Sequence, residues 1–139
     1  MNKTKMLYAW LAGAVGMVIL GVIWHRFIMG GFYAEQGAAI SRDEPNMLFV
    51  VFAIFVLALL MSYAFPIGYK GGSPVTEGLR FGAFMGLVAF LPFNLILHGV
   101  YNATLVGVLV DAAWHVVEQG VGGVIIALVY QSGAAPESS

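Results

Sequence analysis

Three ionisable side chains lie within the last long apolar run of the chain: Asp111, His115 and Glu118 fall between residues 105 and 130. Their spacing of i, i+4 and i+7 places them within about a 60° arc of one helical face. Ionisable side chains are costly inside a membrane, so they face a bundle interior and often mark a functional site. Two carboxylates beside an imidazole suit proton relay, cation binding or capture of a small polar ligand.

The preceding apolar run carries polar groups that we expect to face these three residues. If the two runs form antiparallel helices joined by a short turn near Tyr101, residues equidistant from the turn share a depth. Pro92 lacks a backbone donor, so it frees the carbonyl four residues before it. The predicted contacts are Asp111 with Asn94, His115 with the Val88 carbonyl, and Glu118 with Arg80.

Two interpretations of this polar chain stay open. In the first, the contacts only fix how the two helices pack, as interhelical hydrogen bonds do in membranes. In the second, the polar residues line a funnel that leads from the membrane surface to its midplane, which suits a proton, a cation or a small ligand. The predicted funnel residues are Asn102, His98, Asp111, His115 and Glu118.

The composition places these residues in a membrane protein. Of 139 residues, 60% are hydrophobic and only 9% are charged, and the mean hydropathy is +0.89. Four apolar runs, 7–29, 47–65, 81–97 and 105–130, each approach or exceed the ~20 residues that a membrane-spanning helix needs. Lipid offers no hydrogen-bond partners to the backbone, so such continuous apolar runs are expected to form helices. We therefore predict an all-α, polytopic four-helix membrane bundle over residues 1–131, followed by a disordered tail at 132–139.

The basic residues predict the orientation of this bundle. Lys and Arg favour the cytoplasmic side of membrane proteins. The N-terminal tail and the second loop together carry four basic residues, Lys3, Lys5, Lys70 and Arg80. The first loop carries two, Arg26 and Arg42. Both termini are therefore expected in the cytoplasm, with the protein in the inner membrane and the first loop outside.

Small residues repeat at helical spacing in two of the spans. Such ridges let two helix backbones approach closely. They predict packing within the chain, with self-association or docking onto a larger membrane complex as the alternative. The predicted packing glycines are Gly13, Gly16, Gly78, Gly82 and Gly86.

Several functional classes find no support in the sequence. The net charge of −1 with six basic residues cannot form a nucleic-acid surface. There is no cysteine, which excludes disulfides and thiolate chemistry. No nucleophile elbow, zinc-protease helix or phosphate-binding glycine loop is present. The sequence therefore favours a protein that is not an enzyme.

The sequence predicts no cofactor and no metal site. A metal ion or haem bound at His115 is the alternative, but that residue lacks partners of the right kind. His25 and His98 both lie near the outer edge of their spans, ~15 Å in depth from His115 at the helical rise. We therefore expect them to be two separate interfacial histidines.

Two stretches resemble a known family. Residues 20–27, Leu-Gly-Val-Ile-Trp-His-Arg-Phe, are similar to the pattern that closes the first span in a family of small bacterial four-helix membrane proteins of unknown function. Residues 109–115 and 120–130 are similar to the last span of that family, in which a polar residue precedes an aromatic one and a glycine-rich end. The resemblance implies the four-helix architecture and a bacterial inner membrane, and it implies no activity.

These observations give two functional hypotheses. The first is a non-enzymatic structural or accessory subunit that associates laterally in the lipid bilayer, its fourth span fixing helix packing. The second is a small transporter or a ligand- or proton-binding protein that uses Asp111, His115 and Glu118.

Overall fold

A computed structural model describes residues 2–132, and every described element is helical. Four of its helical units are long and apolar enough to cross a membrane, which confirms the predicted all-α class with four membrane-length helices. The predicted tail lies outside the described residues, apart from Ser132, and the orientation of the termini stays a prediction. The elements are α1 (Lys3–Val22), which continues as a π-helical segment (Ile23–Ile28), α2 (Gly30–Gln36), α3 (Met47–Gly68), α4 (Pro74–Val100) and α5 (Leu105–Gln131).

Helices α4 and α5 form the most extensive pair in the bundle. A glycine ridge on α4 lies directly against the backbone of α5, so close that an added Cβ on any of the three glycines would collide with main-chain atoms. This intimate packing explains why small residues recur here every four positions. The ridge is covered within the chain, and self-association stays a prediction. The contacts are Gly78 with Gly123, Gly82 with Gln119, and Gly86 with His115.

Helix α1 packs on the other side of α5 and also contacts α3. Its small residues lie against side chains rather than backbone: Gly13 meets Ile126, and Gly16 meets Ile125. The apolar core lies where α1, α3 and α5 meet, and its α5 members follow Glu118 by about two helical turns. Its buried members are Ala9, Ala14, Met17, Ala58, Met61, Phe65, Ile126 and Ala127.

The antiparallel register of α1 and α5 determines what faces Asp111. One turn after Gly13, Met17 meets Gly122, and after another turn Gly21 meets Glu118. The next turn of the first span contains His25, which this register brings beside the first half of α5. Because the first span ends at Ile28, the first ~1.5 turns of α5 extend beyond it.

The short helix α2 fills the space above the end of the first span. Its last residue, Gln36, accepts a hydrogen bond from the Thr104 hydroxyl through Oε1 at 2.6 Å. Thr104 is the N-cap of α5 and accepts the Gly107 amide at 3.1 Å. This end of the bundle, which contains α2 and the turn between α4 and α5, is called the α2 end below.

Candidate functional site

Four ionisable side chains meet where the first span crosses α5. We call this group the His–carboxylate cluster; its members are His25 from the π-helical segment and Asp111, His115 and Glu118 from α5. His25 Nε2 lies 3.4 Å from Asp111 Oδ1, and His115 Nε2 lies 3.6 Å from Asp111 Oδ2. On its other side, His115 Nδ1 lies 3.0 Å from Glu118 Oε2. The three residues predicted from α5 are together, and a residue of the first span joins them.

The π-helical segment positions His25. Its wider turn is closed by a hydrogen bond from the Met29 amide to the Trp24 carbonyl, five residues back, at 2.8 Å. His25 Nδ1 donates to the Gly21 carbonyl at 3.0 Å, which holds the ring with Nε2 towards Asp111. π-helical turns are rare and are frequently found at functional sites.

His115 is held from three directions. Its ring stacks on Phe90 of α4, with centroids 3.6 Å apart and planes 13° from parallel. Its Nδ1 contacts Glu118, whose Oε2 also accepts a hydrogen bond from Gln119 Nε2 at 3.0 Å. Glu118 and Gln119 are almost fully buried. The ring therefore has little freedom, and its Nε2 remains directed at Asp111.

Asp111 is where the cluster meets open space. Asn94 on α4 donates to Asp111 Oδ2 at 3.2 Å and to the Phe90 carbonyl at 3.0 Å. A cavity of about 190 Å³ reaches both residues from the α2 end. The cavity is large enough for a few waters or a small hydrated ion. Its lining residues are Tyr33, Gln36, Gly37, Ile40, Ser41, Asn94, Leu97, Ala103, Thr104, Gly107, Val108 and Asp111.

The hydrogen-bond partners fix where protons reside in the cluster. The Gly21 carbonyl can only accept, so His25 carries a proton on Nδ1. His115 Nδ1 lies 3.0 Å from Glu118 Oε2 and 3.2 Å from Gln119 Nε2, and we assign it a proton because the charged carboxylate is the closer partner. In the neutral rings, both Nε2 atoms then present lone pairs to the Asp111 carboxylate. Within residues 2–132, no Lys or Arg nitrogen lies within 4.0 Å of Asp111 or Glu118. The Asp111 carboxylate therefore faces two imidazole nitrogens and accepts one amide hydrogen bond, from Asn94.

Aromatic rings enclose the cluster on the side of the first span. Trp24 and Trp114 stack with centroids 4.3 Å apart and planes 1° from parallel. Trp24 Nε1 donates to the Tyr33 hydroxyl at 3.0 Å, and the Tyr33 ring packs on His25 with centroids 4.6 Å apart. Burial raises the pKa of Tyr33 to about 12, so this phenol is neutral at physiological pH.

The comparison with protein families agrees with this architecture. Residues 6–128 match the model of a family described as "Predicted membrane protein (DUF2177)". The chain belongs to the DUF2177 family. No curated protein and no solved structure matched it significantly. Membership of this family identifies the chain as a predicted membrane protein. It assigns no activity to the His–carboxylate cluster.

Two of the three contacts predicted between the third and fourth spans of this DUF2177 protein are absent. Arg80 does not reach Glu118, because its Nη2 pairs with Glu77 Oε2 at 2.8 Å, one turn away on the same helix. His115 does not bond the Val88 carbonyl, since both its ring nitrogens face carboxylates on α5. The Asp111–Asn94 contact is present.

The predicted funnel is shorter in this DUF2177 protein than its sequence indicates. His98 and Asn102 are exposed at the α2 end, and His98 Nδ1 lies 2.8 Å from the Ala103 carbonyl, so it closes the turn between α4 and α5. Neither residue lines the cavity. The path to Asp111 runs instead between α2, α4 and the first turns of α5.

Sequence reasoning also misplaced one member of the DUF2177 site. The sequence predicts a separation of ~15 Å in depth between His25 and His115, yet their ring centroids are 6.2 Å apart. The difference arises because the prediction places the end of the first span level with the start of the fourth. In the structure, the first ~1.5 turns of α5 extend beyond the end of the first span. Gln119 was not singled out, although its position four residues after His115 places it on the same helical face.

Proposed function

We propose that this protein is a small, non-enzymatic membrane protein that binds a cation at the His–carboxylate cluster. The observation that carries the proposal is the convergence of two imidazole Nε2 atoms on the carboxylate of Asp111. All three groups are acceptors once the Nδ1 protons are assigned, so a cation is what completes them. The proposal corresponds to the second hypothesis from the sequence, a ligand- or proton-binding protein, and not to the structural or accessory subunit.

A purely structural role accounts less well for the cluster. Polar groups that only fix helix packing are expected to be enclosed and mutually satisfied. Here the side chains of His25 and Asp111 keep 37% and 24% of their exposure, and Asp111 borders the cavity. A partly open carboxylate that faces two histidines and no Lys or Arg is typical of a binding site.

The proposal includes a direction of access. Beyond Glu118 towards the other end of the bundle, α5 is buried among apolar and small residues such as Met17 and Ile126. The cation therefore enters and leaves through the cavity at the α2 end. With the termini in the cytoplasm of a bacterial inner membrane, as the basic residues predict, this end faces the outside.

Charge-selective labelling of a cysteine in the cavity tests the proposal. The chain has no cysteine, so Leu97→Cys creates a single reactive thiol, half-buried in the cavity wall one turn from Asn94. A cavity that ends in a carboxylate without a Lys or Arg partner concentrates cations. We expect a cationic methanethiosulfonate reagent to react with this thiol about tenfold faster than an anionic one of similar size, after correction for their intrinsic rates.

Two further variants make this measurement decisive. Asn102→Cys, exposed at the same end but outside the cavity, provides the reference ratio of cationic to anionic rates. Adding Asp111→Asn to Leu97→Cys should reduce the selectivity towards that reference. An unreactive thiol at position 97, or a ratio equal to that at position 102, contradicts the proposal.

A further inference from the structure

The ligand groups of the cluster are those of a transition-metal site. One ring nitrogen of His25, one carboxylate oxygen of Asp111 and one ring nitrogen of His115 all lie within 4.8 Å of one another. Two imidazoles and one carboxylate suit divalent first-row ions such as Zn²⁺ and Fe²⁺. The three ligands come from the π-helical segment and from α5, so an ion would connect the first span to the fourth.

The groups behind these ligands match the outer shell of known metal sites. A histidine that binds a metal donates its other ring N–H to a carbonyl or carboxylate, which fixes the tautomer. His25 donates to the Gly21 carbonyl at 3.0 Å and His115 to Glu118 Oε2 at 3.0 Å. The Asp111 carboxylate is itself held by Asn94 at 3.2 Å. Each ligand thus has a hydrogen-bond partner behind it that limits its orientation.

The distances between the ligand atoms favour a metal ion over a shared proton. A charge-assisted hydrogen bond between imidazolium and carboxylate spans about 2.7–2.9 Å. The two Nε2–oxygen distances are longer, at 3.4 Å for His25 and 3.6 Å for His115. Each imidazole faces a different carboxylate oxygen, Oδ1 for His25 and Oδ2 for His115, and each distance is close to the separation of about 3.3–3.4 Å between two ligands bound at ~2.0–2.1 Å to a tetrahedral ion.

We propose that His25, Asp111 and His115 bind a divalent transition-metal ion, with its open coordination position facing the cavity. This inference rests on the proposed cation-binding function and names the cation. Because the ligand atoms lie within 4.8 Å, no pair must close by more than about 1.4 Å to reach tetrahedral separation. The His25 ring, which is the most exposed of the three ligands, makes most of that movement.

Zinc titration of the purified full chain tests the site. After treatment with a chelator, the protein in lipid nanodiscs is titrated with Zn²⁺ against a chromophoric competitor, and Co²⁺ is used in parallel for its visible spectrum. We expect one ion per chain and the intense visible absorption of four-coordinate Co²⁺. His25→Ala should lower the zinc affinity at least tenfold, whereas His98→Ala, which removes the exposed histidine of the α4–α5 turn, should leave it unchanged.

Further variants distinguish the loss of a metal ligand from the loss of the folded structure. His25→Gln keeps a polar side chain of similar size at a partly exposed position and should lower zinc affinity to the same extent. Asn94→Ala removes a group that only orients Asp111, so a loss of about 10–100-fold in affinity with an unchanged Co²⁺ band shape is expected. Each variant is compared with the wild type by circular dichroism and by size-exclusion chromatography.

The outcomes distinguish this proposal from the one on which it rests. If zinc does not bind but the thiol at position 97 retains its preference for cationic reagents, the metal site is wrong and the cation site stands. If both zinc binding and charge selectivity are absent, both proposals fail. Zinc binding that survives both His25→Ala and His115→Ala reflects surface adsorption and overturns the metal site.

Discussion

At the scale of single residues, Glu118 is the most completely enclosed acidic side chain between residues 2 and 132, with 2% of its surface exposed. Its Oε2 accepts from both His115 Nδ1 and Gln119 Nε2, while Oε1 lies against Gly21. One oxygen atom therefore satisfies two buried donors. Its role is to hold the imidazole in a single orientation.

Replacing Glu118 separates this acceptor role from the negative charge. Glu118→Gln retains an oxygen that can accept from both donors, whereas Glu118→Ala removes their shared acceptor and leaves only the contact between Gln119 Nε2 and His115 Nδ1 at 3.2 Å, which can satisfy one of them. An unsatisfied buried donor costs about 1–3 kcal/mol, so the alanine variant should be less stable than the glutamine variant by roughly that amount. Unfolding by SDS titration in mixed micelles measures the difference, and equal stabilities would show that this oxygen contributes nothing.

Contacts between single residues were predicted correctly where a shared depth in the membrane decides them. They were predicted wrongly where another partner lies closer to the same side chain. Counting residues from the α4–α5 turn placed Asn94 beside Asp111, because both helices start from that turn at a common level. The same count assigned Arg80 to Glu118, but Glu77 is only one turn away on the same helix. His25 was misplaced because its depth depends on the register of α1 against α5, which no local pattern encodes.

At the scale of elements, the contact between α4 and α5 and the π-helical segment set the geometry of the site. The glycine ridge brings α4 close enough for Phe90 and Asn94 to contact the polar face of α5. The π-helical segment orients His25 from the opposite side. The glycine spacing is visible in the sequence, whereas the π-helical turn carries no recognisable signal in composition or periodicity.

A pair of glycine substitutions on one helix tests the close approach of α4 and α5. In Gly82→Ala the new Cβ would collide with the Gln119 carbonyl, so the two backbones must separate. Overpacking of this kind costs about 1–3 kcal/mol. Gly99→Ala, on the same helix with nothing within 4 Å of the added methyl group, is the matched control and should be neutral or slightly stabilising. Thermal unfolding in detergent compares them, and equal midpoints would exclude close backbone packing as a determinant of stability.

At the scale of the whole molecule, the four-helix architecture could be predicted from the sequence because each membrane-spanning helix is identified from its own residues alone. A run of ~20 apolar residues is sufficient to identify a spanning helix, whatever its neighbours are. The arrangement of the spans was not predictable in the same way. Helix α5 contacts α1, α3 and α4, a central position that follows from side-chain fit along its whole length.

The orientation of the molecule leads to a further prediction, which single cysteines test in intact cells. Asn102 and Ser73 are both exposed, in the turns at opposite ends of α4. With both termini in the cytoplasm, a membrane-impermeant maleimide should label Asn102→Cys in intact cells and label Ser73→Cys only after the membrane is permeabilised. The reverse pattern would invert the topology and place the entrance to the cavity on the cytoplasmic side.

The stacked indoles beside the cluster give the molecule an optical property. Trp24 belongs to the first span and Trp114 to the fourth, and their rings are 4.3 Å apart and nearly parallel. Two chromophores this close couple as excitons, and the coupling depends steeply on their separation and relative angle. Any movement of the π-helical segment against α5 therefore changes the ultraviolet circular dichroism of this pair. The native protein thus reports on the geometry of its own site without an added dye.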